Sequence, residues 1–404
     1  MERGVKNPEG GPEGACAAST TRSGGRDARL DFVRGLALIF IFIDHAPSNA
    51  LAKFTLGAFG MCDAAEVFVI VAGLTAALVY AATFQEGFRG GLQRTLQRVG
   101  KIYRAQMFTS LLCIGVLLSA ALWTQDARYW AHPTLKFLPD TAVEAIAGAL
   151  SLYVQPGYLN ILPLYIALML WLPAALWLAR HHVLLPLVPS LAIWALANFG
   201  LNLPTYGRPG GWFFNPFAWQ LLFTIGIVIG LIRRQGLTIP RSTPVLIAAV
   251  AYLVFAFGVA APWTVVPALS SWRFVDPTWM AEASKQNLSI LRLVNVLALA
   301  YVAVVLFKRD LFRLNAGVLG MVTTMGRNSL LVFCLATVLD ECLLVVRLGG
   351  FRGFWYQAGI NAGGLLLLWG AAMLSERWFR SRSARTRGSR VPISLGGAAA
   401  GGVR

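Results

Sequence analysis

Apolar runs of about 17–22 residues recur along the chain, each long enough to cross a hydrocarbon core of about 30 Å as a helix. Few folds are open to such a chain, because a backbone placed in lipid must satisfy its own hydrogen bonds. Composition agrees: 57% of residues are hydrophobic, 13% are charged, and mean hydropathy is +0.62. A soluble domain carries roughly twice that charged fraction. The expected fold class is all-α, a polytopic integral membrane protein of about ten transmembrane helices plus a short periplasmic half-helix.

The runs fall at 35–51, 63–83, 106–123, 160–179, 183–199, 216–232, 243–261, 288–307, 317–346 and 354–374. The stretch 84–105 carries Arg89, Arg94, Arg98, Lys101 and Arg104 against one acid, Glu86. By the positive-inside bias it is a cytoplasmic loop, which puts the amino terminus in the cytoplasm as well. One apolar segment, 141–154, is short and contains Glu144. If it crossed, Arg233-Arg234 and Lys308-Arg309 would all land outside. Charge parity therefore makes it a re-entrant or interfacial half-helix on the periplasmic face. Both termini are then cytoplasmic in a bacterial inner membrane. Residues 1–28 and 378–404, rich in Gly, Ser and basic side chains, read as disordered tails around a transmembrane domain at 29–377. No apolar core precedes Gly35, which speaks against a cleavable signal peptide.

The net charge of +17 would suggest nucleic acid in a soluble protein. Here it is the basic excess of cytoplasmic loops and tails, and no nucleic-acid partner is expected. The five cysteines, Cys16, Cys62, Cys113, Cys334 and Cys342, show neither metal spacing nor a disulfide framework.

Ionisable groups inside spans are expensive and are functional candidates by default. The first two runs hold several. Asp31 and Arg34 open the first. Asp44 and His45 lie further along, and His45 is about 16 Å beyond Arg34 at 1.5 Å per residue. Asp63 and Glu66 open the second run at i,i+3, on one helical face. A histidine among carboxylates has the parts of a general base held in one tautomer. The alternative is a cluster that merely neutralises itself. Arg94, Arg98, Lys101 and Arg104 share a helical face, suited either to lipid headgroups or to a phosphate-bearing cofactor. Arg327 either snorkels or points into the bundle toward an anion. Pro163 and Pro173 would kink or widen the fourth span.

Two loops expected on the periplasmic side are rich in aromatics. The first, 200–215, holds Tyr206, Arg208, Trp212, Phe213 and Phe214. The second, 262–287, holds Trp263, Trp272, Arg273, Asp276, Trp279 and Lys285. They serve as belt anchors or as platforms for sugar rings. No internal repeat or pair of broken helices is visible, which weakens a transporter reading.

The run Leu30-Asp31-Phe32-Val33-Arg34-Gly35-Leu36-Ala37 followed by His45 resembles the first-helix signature of the acyltransferase-3 superfamily. The closer similarity is to its OpgC branch, the succinyl-transferring proteins of osmoregulated periplasmic glucans. Phe42-Ile43-Asp44-His45, Asp63-Ala64-Ala65-Glu66-Val67-Phe68 and Leu162-Pro163-Leu164-Tyr165 look like that branch. So do the runs from Asn215 through Trp219 and Gln220 to Phe223, and from Gly326 to Cys334. The resemblance covers roughly residues 26–377.

It implies that His45 is the catalytic histidine, with Asp44 or Glu66 orienting it and Asp31 and Arg34 the pair that opens the first helix. It implies that Arg98 begins a paired-arginine motif linked to acyl-coenzyme A use. Lys101 stands at the second position, and Arg104 and Arg327 complete the expected cofactor contacts. Asp63, Tyr165, Asn215, Trp219 and Gln220 become the expected contacts to the acceptor. Asn160 replaces an acid of many relatives, and Gln106 and Ala336 replace histidines.

The expected function is an O-acyltransferase. It moves an acyl group, succinyl in the branch resembled, from acyl-CoA on the cytoplasmic side to a hydroxyl of a periplasmic glucan or other glycan, with no metal. His45 acts as the base, directly or through an acyl-histidine intermediate. The rivals are a transporter or flippase of an acyl or glycan anion, and an inactive membrane partner protein.

Overall fold

The computed structural model describes residues 27–238, 240–260, 284–306 and 317–388, and among them there is no β-strand. The main helices are α1 Ala28–His45, α2 Ala64–Glu86, α3 Phe88–Thr124, α4 Ala142–Leu150, α5 Ile161–Leu178 and α6 Leu187–Asn198. They continue with α7 Pro216–Arg234, α8 Thr243–Ala260, α9 Ile290–Leu306, α10 Gly317–Arg327, α11 Ser329–Leu348 and α12 Gly364–Gly388. A short helix, Phe354–Ala358, and a π-turn, Gly359–Gly363, run into α12.

Among the described residues, seven helices are long and apolar enough to cross a membrane: α2, α3, α5, α7, α8, α11 and the composite Phe354–Phe379. The chain is a multi-pass helical membrane protein. α6 and α9 are apolar but shorter. α1 has the length, 18 residues, but carries Arg29, Asp31, Arg34 and Asp44. α4, with 9 residues, is about 14 Å long and too short to cross.

Three boundaries differ from the sequence reading. The first helix stops at His45 instead of running to residue 51. Pro47 pushes the preceding residue out of helical space, and Ala46 is extended at φ −62°, ψ 124°. A 3-10 turn, Ala50–Phe54, and a single turn, Leu56–Phe59, then lead to α2. Second, the basic stretch 84–105 is not a loop. All but its first few residues belong to α3, which has 37 residues and is about 55 Å long. Third, the run 317–346 breaks at Asn328, at φ −104°, between α10 and α11. At the carboxyl end helix continues to Gly388, into the expected tail. The rest of that tail, the amino-terminal tail, Lys308-Arg309 and the loop with Trp263, Trp272, Arg273, Asp276 and Trp279 lie outside the described residues.

Glycines set the closest helix crossings. Gly226 and Gly230 form a G-x-x-x-G pair on α7 against Gly73 of α2. A Cβ on Gly73 would stand 2.1 Å from the Phe223 carbonyl oxygen, and one on Gly226 2.3 Å from that of Ile70. Small residues at four-residue spacing let helix backbones touch in an apolar bundle, where dispersion rather than water drives association. α1 meets α10 in the same way, because a Cβ on Gly35 would lie 2.0 Å from the Val322 carbonyl oxygen.

At the start of α1, Asp27 caps the helix and accepts hydrogen bonds from Arg29 and from Arg233 of α7. Burial pushes its carboxyl up, but the two guanidiniums outweigh this and hold it down at about 2.

Gly73→Val should destabilise the detergent-purified protein by about 1–3 kcal/mol or more through overpacking. Gly115→Ala, where an added Cβ meets nothing within 4 Å, should leave the melting temperature unchanged or slightly raised. Thermal denaturation of the two variants checks the pair.

Candidate active site

His45 is the last residue of α1 and is partly accessible. Its ring stacks on Tyr158, with centroids 4.1 Å apart and planes 18° apart. Its Nδ1 is buried and has no hydrogen-bond partner among the described residues. Neighbouring Asp44 does not bind it. That side chain is exposed and accepts a hydrogen bond from Thr55 Oγ1 at 2.6 Å. α1 ends here, but the bundle does not: α3 runs about 39 Å beyond Arg98. His45 thus sits in a recess, walled by helices that continue past it.

Asp63 and Glu66 have partners of their own. They form a capping box: Ala65 N donates to Asp63 Oδ1 at 2.8 Å, and Asp63 N donates to Glu66 Oε2 at 2.9 Å. Arg292 of α9 donates from Nε to Glu66 Oε1 at 2.7 Å and from Nη2 to Asp63 Oδ2 at 3.2 Å. Lys285 donates to the same Asp63 oxygen at 2.6 Å. Asn295, one turn beyond Arg292, accepts from Cys62 N at 2.9 Å. Together these contacts lock the start of α2 to α9.

A pocket lies one turn before His45 on α1. Ile41, Phe68, Tyr165, Leu330 and Phe333 line it, and Arg98 is its only charged wall. The Arg98 guanidinium is 6.0 Å from the Tyr165 ring centroid. It makes no hydrogen bond or ion pair to any described residue, so a cation faces an apolar pocket without a counter-charge. Lys101 and Arg104 are exposed on α3 beyond it. Arg94 donates to Thr83 Oγ1 at 2.8 Å and lies over the Tyr80 ring. Arg327 ends α10 and donates to Glu376 at 3.3 Å, although Ser329, two residues on, does line the Arg98 pocket.

The remaining expected residues are spread through the bundle. Asp31 and Arg34 lie in the first half of α1, 3.5 Å apart, and Arg34 donates to Thr75 Oγ1 at 2.7 Å, joining α1 to α2 away from His45. Asn215 caps α7 and donates to Leu201 O and Asn287 Oδ1. Trp219 Nε1 donates to Lys285 O at 3.1 Å, and Gln220 Nε2 to Ser190 O at 2.7 Å. All three are buried and internally bonded. Of the five expected acceptor contacts, only Tyr165 lines the pocket.

Several residues around His45 were missed from sequence. Tyr158 and His132 come from loops, and His132 lies edge-on to Tyr158 at 6.2 Å. Burial pushes the Tyr158 phenol up, with Glu341 and Asp340 adding to it, and burial pushes the His132 imidazole down. The loop residues carry no sequence signal. Arg292 and the pair Asp340-Glu341 do, since each interrupts an apolar run that also forms a helix.

These features define a multi-pass helical membrane protein with a histidine recess beside a cationic pocket. The chain belongs to the OpgC protein family, whose family model matches residues 26–380. No curated protein and no solved structure matches it.

Arg292→Ala strands Glu66, which is 0% exposed, as a buried charge without its guanidinium. It should cost about 3–5 kcal/mol. The double variant Arg292→Met with Glu66→Gln should recover much of that loss. Chemical denaturation in detergent compares the two.

Proposed function

We propose that this protein is a membrane O-acyltransferase of the acyltransferase-3 kind. It moves an acyl group, with succinyl the first candidate, from acyl-CoA to a hydroxyl of a periplasmic glucan or related glycan. The observation that carries this reading is the pairing of His45 with the Arg98 pocket one helical turn away. Membership of the OpgC family supports it.

The end of the bundle where α1 begins is taken as cytoplasmic, with the inner membrane as its location, since Arg29, Arg89 and Arg234 gather there. The donor is a substrate, and the cations on α3 suit it. Arg98 has no counter-charge among the described residues, and Lys101 and Arg104 are exposed for phosphate groups. The Arg98 pocket is narrow and mostly apolar, which suits a short acyl chain and its thioester. An acidic end on that chain, as in succinyl, finds the Arg98 guanidinium.

The acceptor hydroxyl approaches from the other side. His45 takes its proton, and the oxygen attacks the thioester carbonyl. The new C–O bond forms as the C–S bond breaks, and the imidazolium returns its proton to the leaving thiolate. The supporting carboxylate is not Asp44 or Glu66 in this scheme, because both have other partners. Tyr158, stacked on the ring, holds its orientation instead.

His45→Ala should abolish acyl transfer to glycan while the protein stays folded. Mass spectrometry of glycans from cells with the wild-type or variant gene, grown at low osmolarity, reads the added acyl mass. Acylation retained in the variant overturns the assignment. Glycan exported without any acyl mass in the wild type favours transport. Arg98→Ala should raise KM for acyl-CoA by about tenfold, the loss of one charged hydrogen bond, as read by steady-state kinetics with purified protein.

A further inference from the structure

Two acids on α11 stand beside the histidine recess, and the mechanism above does not use them. Asp340 and Glu341 are each 2% exposed. Glu341 is partnered: Thr134 Oγ1 donates to it at 2.6 Å, and His132 Nδ1 lies 3.7 Å from its second oxygen. Asp340 is not. Neither of its carboxylate oxygens meets a donor among the described residues. Buried polar groups in folded proteins are almost always hydrogen-bonded, and an orphaned one asks for a partner outside the chain.

Contacts fix where that partner would sit. Leu343, one turn beyond Asp340 on the same face of α11, packs with Ala46, Tyr356 and Ile360, and Ala46 follows His45 directly. Both acids lie within electrostatic range of Tyr158, the ring stacked on His45. Asp340 also reaches Tyr356, whose hydroxyl donates to Pro47 O at 2.9 Å. Tyr158 is 39% exposed, so the ring that both acids influence reaches the surface. His45 Nδ1, another orphaned polar atom, is on the ring that stacks on Tyr158.

The chemistry selects a class of ligand. A carboxyl group presents two oxygens to two neighbouring hydroxyls, accepting at both when ionised and donating at one when protonated. Tyrosine rings on either side offer faces to the C–H bonds of a sugar ring. A metal is the other ligand that carboxylates draw, but no group of three or more His, Cys, Asp or Glu is arranged to hold one among the described residues. We propose that Asp340, supported by Glu341, is the subsite that binds the hydroxyl groups of a sugar and holds the acceptor beside His45. This rests on the reading that the acceptor is a glycan, and it assigns the recognition of that glycan to α11 rather than to Asn215, Trp219 and Gln220.

The test uses full-length protein in detergent and sophorose, a glucose disaccharide, as the probe. Binding is titrated by saturation-transfer difference NMR with no acyl donor present. Wild type should bind in the millimolar range, and Asp340→Ala should weaken binding by about tenfold, as expected when a carboxyl bonded to two sugar hydroxyls is lost. Asp340→Asn keeps the shape and should weaken it to a smaller extent; it decides the matter if the alanine variant does not fold. Wild type that binds no sophorose, or folded Asp340 variants that bind it as tightly as wild type, overturn the subsite. Because no donor is present, the two readings fail separately. Asp340-dependent binding in a protein that transfers no acyl group keeps the subsite and sinks the acyltransferase. Transfer with an unchanged acceptor KM in Asp340→Asn sinks only the subsite.

Discussion

A guanidinium inside an apolar bundle has to find carboxylates, and Arg292 finds two. Its bonds to Glu66 and Asp63, with Lys285 added at the rim, pin the first turn of α2 to α9 and to the segment ahead of it. Much follows from that lock. The connection between α1 and α2 is held at its far end by Cys62 on Asn295, and at its near end by Asn49 on Asn361. The stretch from Ala46 to Asp63 is therefore fixed at both ends, and His45 at its start is fixed with it.

The same lock explains why the acids nearest in sequence do not bond to the histidine. Asp63 and Glu66 read as partners for the histidine because all three fall within two neighbouring runs. In the folded chain their charge is already met by cations of equal number. Asp63 and Lys285 remain within electrostatic range of the imidazole, and two further carboxylates, from a helix almost three hundred residues away, reach Tyr158, the ring stacked on it. That distance hid them, although an acid pair within an apolar run is itself a signal.

The broad architecture was legible because it depends on a summed property. Run lengths and charge bias revealed the helices, the multi-pass character and the non-crossing segment at α4. Local stops were harder to read. The break after His45 is written in Pro47, and the basic run reads as a loop because its charge masks a continuous helical spacing. The break at Asn328 has no comparable marker in the sequence. Ionisable groups on helices, such as His45 and Arg98, stand out in the sequence because they lie in or beside apolar runs. Tyr158 and His132 could not, since loop positions acquire neighbours only when the chain has folded. Asn215, Trp219 and Gln220 show the opposite case: polar groups in a memorable motif, yet occupied with capping a helix and holding loops in place.

One consequence of the early end of α1 concerns electrostatic polarity. The peptide dipoles of a helix leave partial negative charge at its last turn, and a cation there gains about 0.3–1 kcal/mol at an exposed site and up to about 2 where water is scarce. His45 occupies that turn. Were the helix to run on to residue 51, its negative pole would lie about 9 Å further on and the imidazole would feel a mid-helix field instead. By stopping where it does, the backbone itself favours a protonated ring, which the proposed transfer requires while the histidine carries the hydroxyl's proton.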